Sequence, residues 1–220
     1  MADLKLYFFP RACSGVTMTA LAMAGKDYDS ELINIFTGAQ KSPEYLKVNR
    51  NGKVPALMID GEPVTENAAI LMTLAEMFPD AGILPKADTT VERAQQRGDL
   101  VWCSAMMHPL ARQMRMPIRF TNDDTSLEGV KSLGQTNLKA ALQDVEARVA
   151  DGKWFYGDQP SIIDVYLRWI LGVAISAGFP IDEFPAVADL LKRVEALPAY
   201  REAKARETQA AEAADIKFPT

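Results

Sequence analysis

Histidine is almost absent from this sequence: His108 is the only one among 220 residues. A single imidazole leaves little basis for most metal sites, and it argues against a Ser-His-Asp hydrolase, which needs a placed imidazole and a nucleophile motif. Cysteine is nearly as scarce. Cys13 and Cys103 are far apart, so they make no disulfide framework, and with one histidine they cannot close a zinc tetrahedron without carboxylates. Neither lies in a Cys-x-x-Cys pair, because Val16 stands where the second thiol of such a pair would be, so a dithiol cycle within one chain is not expected. Long apolar runs are missing too, and no stretch reaches the about 18 residues of a membrane span. The opening Met1-Ala2-Asp3-Leu4-Lys5 has no basic segment with an apolar run and cleavage site behind it. No block of one charge occurs: 24 basic and 29 acidic side chains give a net charge of −5, with the signs interspersed and no basic stripe for nucleic acid. A cytoplasmic chain in a reducing compartment is expected, with no metal, membrane or nucleic-acid partner.

Apolar residues, 48% of the chain, suffice for a sizeable core, and the length suits a small domain plus a medium one. Leu4 to Phe9 reads as a buried strand ended by Pro10. A helix follows from about Ser14 to Ala24, with Gly25 as its stop. Tyr28 to Phe36 reads as a second strand, and Ser42-Pro43-Glu44 as the cap and first turn of a short helix. Val54 to Ile59 is a third strand, Asp60-Gly61 a hairpin turn, Pro63-Val64-Thr65 the returning strand, and 67–78 a helix stopped by Pro79. This β-α-β-α-β-β-α order fills residues 1–83, and 84–88 read as a linker. From 89 to 220 the chain reads as helical throughout. Residues 91–116 are one long segment kinked at Pro109. Leu138, Leu142, Val145 and Val149 mark an apolar helix face. Ser161 to Asp164 is a capping box heading a buried central helix, and 200–214 a solvated last helix. The expected fold is α/β plus all-α.

Three places are suited to chemistry. Cys13 and Ser14 stand between a strand end and a helix start, where unpaired N–H groups and the helix dipole favour an anion and lower a thiol's pKa. Moving a thiol from about 8.5 to about 6.5 takes roughly 2.7 kcal/mol, which one or two hydrogen bonds and a helix end can supply. The plainer reading makes Cys13 a small helix-start residue and Ser14 an N-cap. Val54-Pro55 opens a strand at an edge able to accept a short peptide by main-chain hydrogen bonds, or is an ordinary strand-start proline. Glu66-Asn67 heads a helix. There the glutamate can pair with an amine and the helix N-terminus can hold a carboxylate, or the pair is a plain cap. Together the three describe a site for a small acidic thiol peptide.

These segments resemble the bacterial glutathione transferases, especially the beta class. Lys5-Leu6-Tyr7 with Pro10-Arg11-Ala12-Cys13-Ser14 is similar to their opening, Asn49 through Leu57 to their cis-proline segment, and Glu66-Asn67-Ala68-Ala69-Ile70-Leu71 to their Glu-Ser-x-Ala-Ile motif. Ser161 to Asp164 resembles their capping box, and Phe184-Pro185-Ala186-Val187 with Leu197-Pro198 a late helix. The resemblance implies a thioredoxin-like N-terminal domain over 1–83, an all-helical C-terminal domain over 89–220 lining the second-substrate site, a homodimer, and glutathione as co-substrate. By the same resemblance Cys13 and Ser14 face the glutathione sulfur and Val54, with Pro55 cis, pairs with its backbone. Glu66 and Asn67 hold the γ-glutamyl end, and Lys53 and Lys41 meet the glycyl carboxylate. Phe8, Arg11, His108 and Arg112 are assigned to the second-substrate cleft. Two departures stand out: Phe8 replaces a tyrosine, and Asn67 a serine. The implied activity is conjugation of glutathione to small apolar electrophiles in detoxification. The alternatives are glutathione-dependent disulfide reduction through Cys13 and non-catalytic ligand binding.

Overall fold

The computed structural model describes residues 2–218, and contacts among them form two compact units, one of residues up to Ile83 together with those from Leu197 onward, the other Leu84–Ala196. The first unit is built on four strands, β1 Leu4–Phe8, β2 Asp29–Leu32, β3 Ala56–Ile59 and β4 Glu62–Thr65, ordered β2-β1-β3-β4. β1 runs parallel to β2 and antiparallel to β3, which pairs antiparallel with β4. Around the sheet lie α1 Ser14–Met23, α2 Pro43–Val48 and α3 Asn67–Met77. This is the thioredoxin-like arrangement. Side chains alternate along β1: Leu4, Leu6 and Phe8 are buried, while Tyr7 sits edge-on to Tyr45 of α2.

β2 is shorter than its sequence suggests. Ile33 still donates to Phe8 O at 2.8 Å. Asn34 then takes over: its side chain accepts from Phe36 N at 3.0 Å and its carbonyl from Ala39 N at 3.1 Å. An Asx-type turn competes with the ladder and ends the strand.

The second unit is helical: α4 Thr90–Trp102, α5 His108–Arg115, α6 Leu127–Arg148, α7 Ile162–Ile175 and α8 Pro185–Ala196. The break in the long 91–116 segment is one π turn, Cys103–Met107, in which His108 N–H bonds Cys103 O. Pro109 has no N–H and its ring excludes the carbonyl four residues back, so the ladder widens by one residue just ahead of it. α7 is the buried core helix. Asp164, itself fully buried, accepts from Ser161 N and Ser161 Oγ at 2.8 Å each and from Phe155 N at 2.8 Å.

The last helix, α9 Pro198–Ala213, departs from the solvated helix read in the sequence and from a helical domain running to residue 220. Ala203, Glu207 and Ala211 are buried, and α9 packs on α1 in the first unit. The small alanines allow close approach, and Gly15 supplies room opposite Glu207: a Cβ there would lie 2.8 Å from Glu207 Oε1.

Candidate active site

The turn between β1 and α1 is closed from inside. Ala12 N–H bonds Phe9 O at 3.1 Å. Ser14 Oγ accepts from Phe9 N at 3.2 Å and donates to Phe9 O at 3.0 Å. Ser14 is fully buried, so its hydroxyl braces the turn and is not presented to a ligand sulfur as the resemblance implied. Arg11 takes a left-handed backbone, φ 64°, which is uncommon for a residue with a side chain. Its N–H donates to Glu207 Oε1 at 3.2 Å, and Lys204 Nζ pairs with the other carboxylate oxygen. Burial pushes the Glu207 carboxyl above its ordinary range, against the pull of Lys204 and Arg11. Cys13 caps α1, and its Sγ lies 3.7 Å from Val54 O.

Val54 stands in a braced loop. The Val54–Pro55 peptide is cis. Immediately before it, Lys53 O accepts from Tyr45 OH and from Asn49 Nδ2, both at 2.7 Å. Burial pushes the Tyr45 phenol well up, so it keeps its proton as a donor. Asn51-Gly52 turns the chain, with Gly52 at φ 56°. Any Cβ at Gly52 would meet Gln40 O at 2.6 Å and Lys41 Nζ at 2.8 Å, so only glycine fits. Lys41 Nζ in turn donates to Asn51 O at 3.3 Å. Lys53 is exposed.

The head of α3 joins both. Asn51 Nδ2 donates to Glu66 Oε1 at 3.1 Å, and Glu66 has φ 70°. Asn67 is 6% exposed. Its Oδ1 accepts from Thr17 Oγ1 at 2.6 Å, and its Nδ2 donates to Cys13 O at 3.3 Å. The side chain therefore ties α3 to the cysteine turn, and what α3 offers an anion is its first-turn backbone N–H groups, which have no intrahelical partner. Cys13, Val54-Pro55, Lys41, Asn51, Glu66 and Asn67 thus form one cluster, assembled from four segments.

The four residues assigned to a second-substrate cleft divide. Phe8 is 1% exposed, packed on the core side of β1, and lines no open cleft. The Arg11 guanidinium lies over the Phe218 ring, 3.9 Å from its centroid. His108 and Arg112 belong to α5 of the second unit, where Arg112 Nε donates to His108 Nε2 at 3.2 Å. That leaves the neutral imidazole's proton on Nδ1. The ring stands edge-on to Trp169, centroids 4.5 Å apart. Sequence reasoning missed Thr17, Asn51 and Glu207. Thr17 is one turn along α1 from Cys13, a spacing that placed it on the same face. Glu207 is 196 residues from Arg11, and nothing local marks that pairing.

Residues 2–76 match the family described as glutathione S-transferase, N-terminal domain, and residues 102–198 that described as glutathione S-transferase, C-terminal domain. A maleylacetoacetate isomerase of Pseudomonas aeruginosa is 32% identical over 206 residues, 91% of this chain and 95% of that protein. A beta class glutathione S-transferase of Sphingomonas chungbukensis superposes with a TM-score of 0.78 at 29% identity, covering 92% of this chain and 98% of its own. A sphingomonad glutathione S-transferase complexed with glutathione does so with a TM-score of 0.79 at 27% identity, covering 93% and 98%. With a thioredoxin-like unit, a helical unit and a cysteine-headed helix beside a cis-proline segment, the chain belongs to the glutathione S-transferase family.

Proposed function

We propose that this glutathione S-transferase binds glutathione along the Cys13, Val54-Pro55 and Glu66-Asn67 segments and transfers its thiolate to small apolar electrophiles. The observation that carries this reading is the tie among those segments: Cys13 Sγ at 3.7 Å from Val54 O, and Asn67 Nδ2 at 3.3 Å from Cys13 O. A peptide thiol lying along the Val54 edge has its sulfur at the head of α1. There the helix end and its first-turn N–H groups favour the anion. The γ-glutamyl carboxylate meets the head of α3 and its amine meets Glu66. Lys41 and Lys53 serve the glycyl carboxylate. The thiolate attacks the electrophilic carbon, the leaving group departs with its electron pair, and no bond to the protein forms. His108 and Arg112 serve the second substrate. The enzyme works in the cytoplasm as a homodimer, in detoxification.

A second reading is favoured by the commitment of Ser14 Oγ to the Phe9 backbone, which leaves Cys13 as the side chain of this turn lying near Val54. In it the Cys13 thiolate attacks a substrate disulfide, and glutathione resolves the mixed disulfide. Paired assays on wild type and Cys13→Ala separate the two: conjugation to an aryl halide, and reduction of a mixed disulfide. Conjugation that persists in the variant supports the transferase reading. Disulfide reduction alone, abolished in the variant, supports the reductase and overturns conjugation. A conjugated unsaturated acid belongs among the test electrophiles, because the Pseudomonas relative is named an isomerase.

A further inference from the structure

Past the end of α9 the chain reverses. Asp215 is left-handed, φ 48°, and Ile216 N–H bonds Ala211 O at 2.9 Å, a Schellman-type stop made without glycine. The reversal brings 216–218 back over the β1–α1 turn, bridging a cavity of about 570 Å³ whose walls include Arg11, Glu207 and Phe218. The Phe218 ring is where this segment meets the turn. Its centroid is 6.1 Å from Phe9 and 6.0 Å from Phe36, and those two rings are 4.9 Å apart, edge to face. The Arg11 guanidinium covers Phe218.

The two loops gripped in this way have different tasks. Phe9 is 3% exposed, and its backbone N–H and C=O hold Ser14 Oγ, so the ring sits on the peptide that sets the head of α1. Phe36 lies in the 33–38 loop, which leads into the short turn Ala39–Lys41. It is 51% exposed, and its ring contacts are with Phe9 and Phe218. The loop that sets Cys13 and the loop that delivers Lys41 thus meet through Phe9 and Phe36, and the Phe218 ring packs against both.

We infer that Phe218 is a positioning residue for glutathione, clamping the β1–α1 turn to the 33–38 loop so that the thiol end and the glycyl-carboxylate end of the site keep a fixed separation. The inference rests on the glutathione reading above. A clamp that prepays the ordering of two loops acts on the affinity of the bound peptide. It leaves the chemical step of the filled site nearly unchanged.

The test is calorimetric binding of glutathione, with KM and kcat for aryl-halide conjugation, on wild type, Phe218→Ala, Phe218→Tyr, Phe36→Ala and the double alanine variant. Phe218→Ala should raise Kd and KM for glutathione roughly ten-fold, about 1.4 kcal/mol, with kcat at saturating glutathione within about two-fold. Phe218→Tyr keeps the ring and should restore wild-type affinity. The double variant should lose less than the sum of the two single losses, because both changes remove the Phe36–Phe218 contact, while Phe36→Ala alone also removes the contact between Phe36 and Phe9. Unchanged affinity in Phe218→Ala, equal weakening by Phe218→Tyr, or additive losses in the double variant would each overturn the clamp. Wild type that binds no glutathione would overturn the glutathione reading and the clamp with it.

Discussion

Replacing Asn67 by alanine is the sharpest perturbation of the cluster that does not touch a thiol. The amide is 6% exposed and makes two bonds, one to Thr17 Oγ1 at 2.6 Å and one to Cys13 O at 3.3 Å. Truncation leaves the Thr17 hydroxyl, itself fully buried, without this acceptor and Cys13 O without this donor. A net hydrogen bond is worth about 1 kcal/mol and a buried group left unsatisfied costs about 1–3, so the expected loss is about 2–5 kcal/mol. For a chain of this size that lowers Tm by roughly 5–15 °C, read by circular dichroism. Glutathione KM should rise as well, since α3 is released from the cysteine turn. Thr17→Val removes the stranded hydroxyl, so Asn67→Ala should cost about 1–2 kcal/mol less in that background. A loss within about 0.5 kcal/mol, or additive losses in the cycle, would refute the assignment of Asn67 as the tie between α1 and α3.

Gly52→Ala should destabilise by about 1–3 kcal/mol and weaken glutathione binding, since a Cβ would meet Gln40 O and displace Lys41 at a φ of 56°; urea unfolding and KM check both effects. Asp164→Ala strands the Phe155 and Ser161 N–H groups and should cost about 3–5 kcal/mol in thermal unfolding. Glu207 gives a pH test. Its folded carboxyl is raised above the ordinary 4.5, chiefly by burial, so the folded state binds the proton more tightly than the unfolded one. Its contribution is full below 4.5 and is lost as pH rises through the raised value. Wild type should therefore lose stability relative to Glu207→Gln over that rise, measured by urea unfolding at a series of pH values; a constant difference would contradict it.

How much of this was readable from residue order depends on range. β1 was legible because β-formers run straight into Pro10, and α7 because Ser161 and Asp164 frame an apolar run in which Arg168 is the only charge. The heads of α1 and α3 were legible from local breaks at Pro10 and Gly61-to-Thr65. The end of β2 was not, because Asn34 set it by a turn that outweighs the β-propensity beyond it. The π turn ahead of Pro109 follows from proline chemistry, yet a kink was all that spacing disclosed. The roles of side chains were least legible. Asn67 reads as a helix cap until Thr17, 50 residues away, is seen to hold it. Ser14 reads as an anion ligand until its hydroxyl is found on Phe9. α9 reads as solvated because its buried face is two alanines and a glutamate, a composition that marks a solvated helix except where a glycine such as Gly15 stands opposite.

The most direct measurement is an ultraviolet titration of bound glutathione in Cys13→Ala. The remaining cysteine, Cys103, is fully buried, and burial pushes its thiol well up, so thiolate absorbance appearing below the ordinary range belongs to glutathione. Bound glutathione should titrate near 6.5, about 2 units below the free value of about 8.5. Glutathione that binds but titrates at its free value would contradict the claim that the head of α1 is built to hold a thiolate.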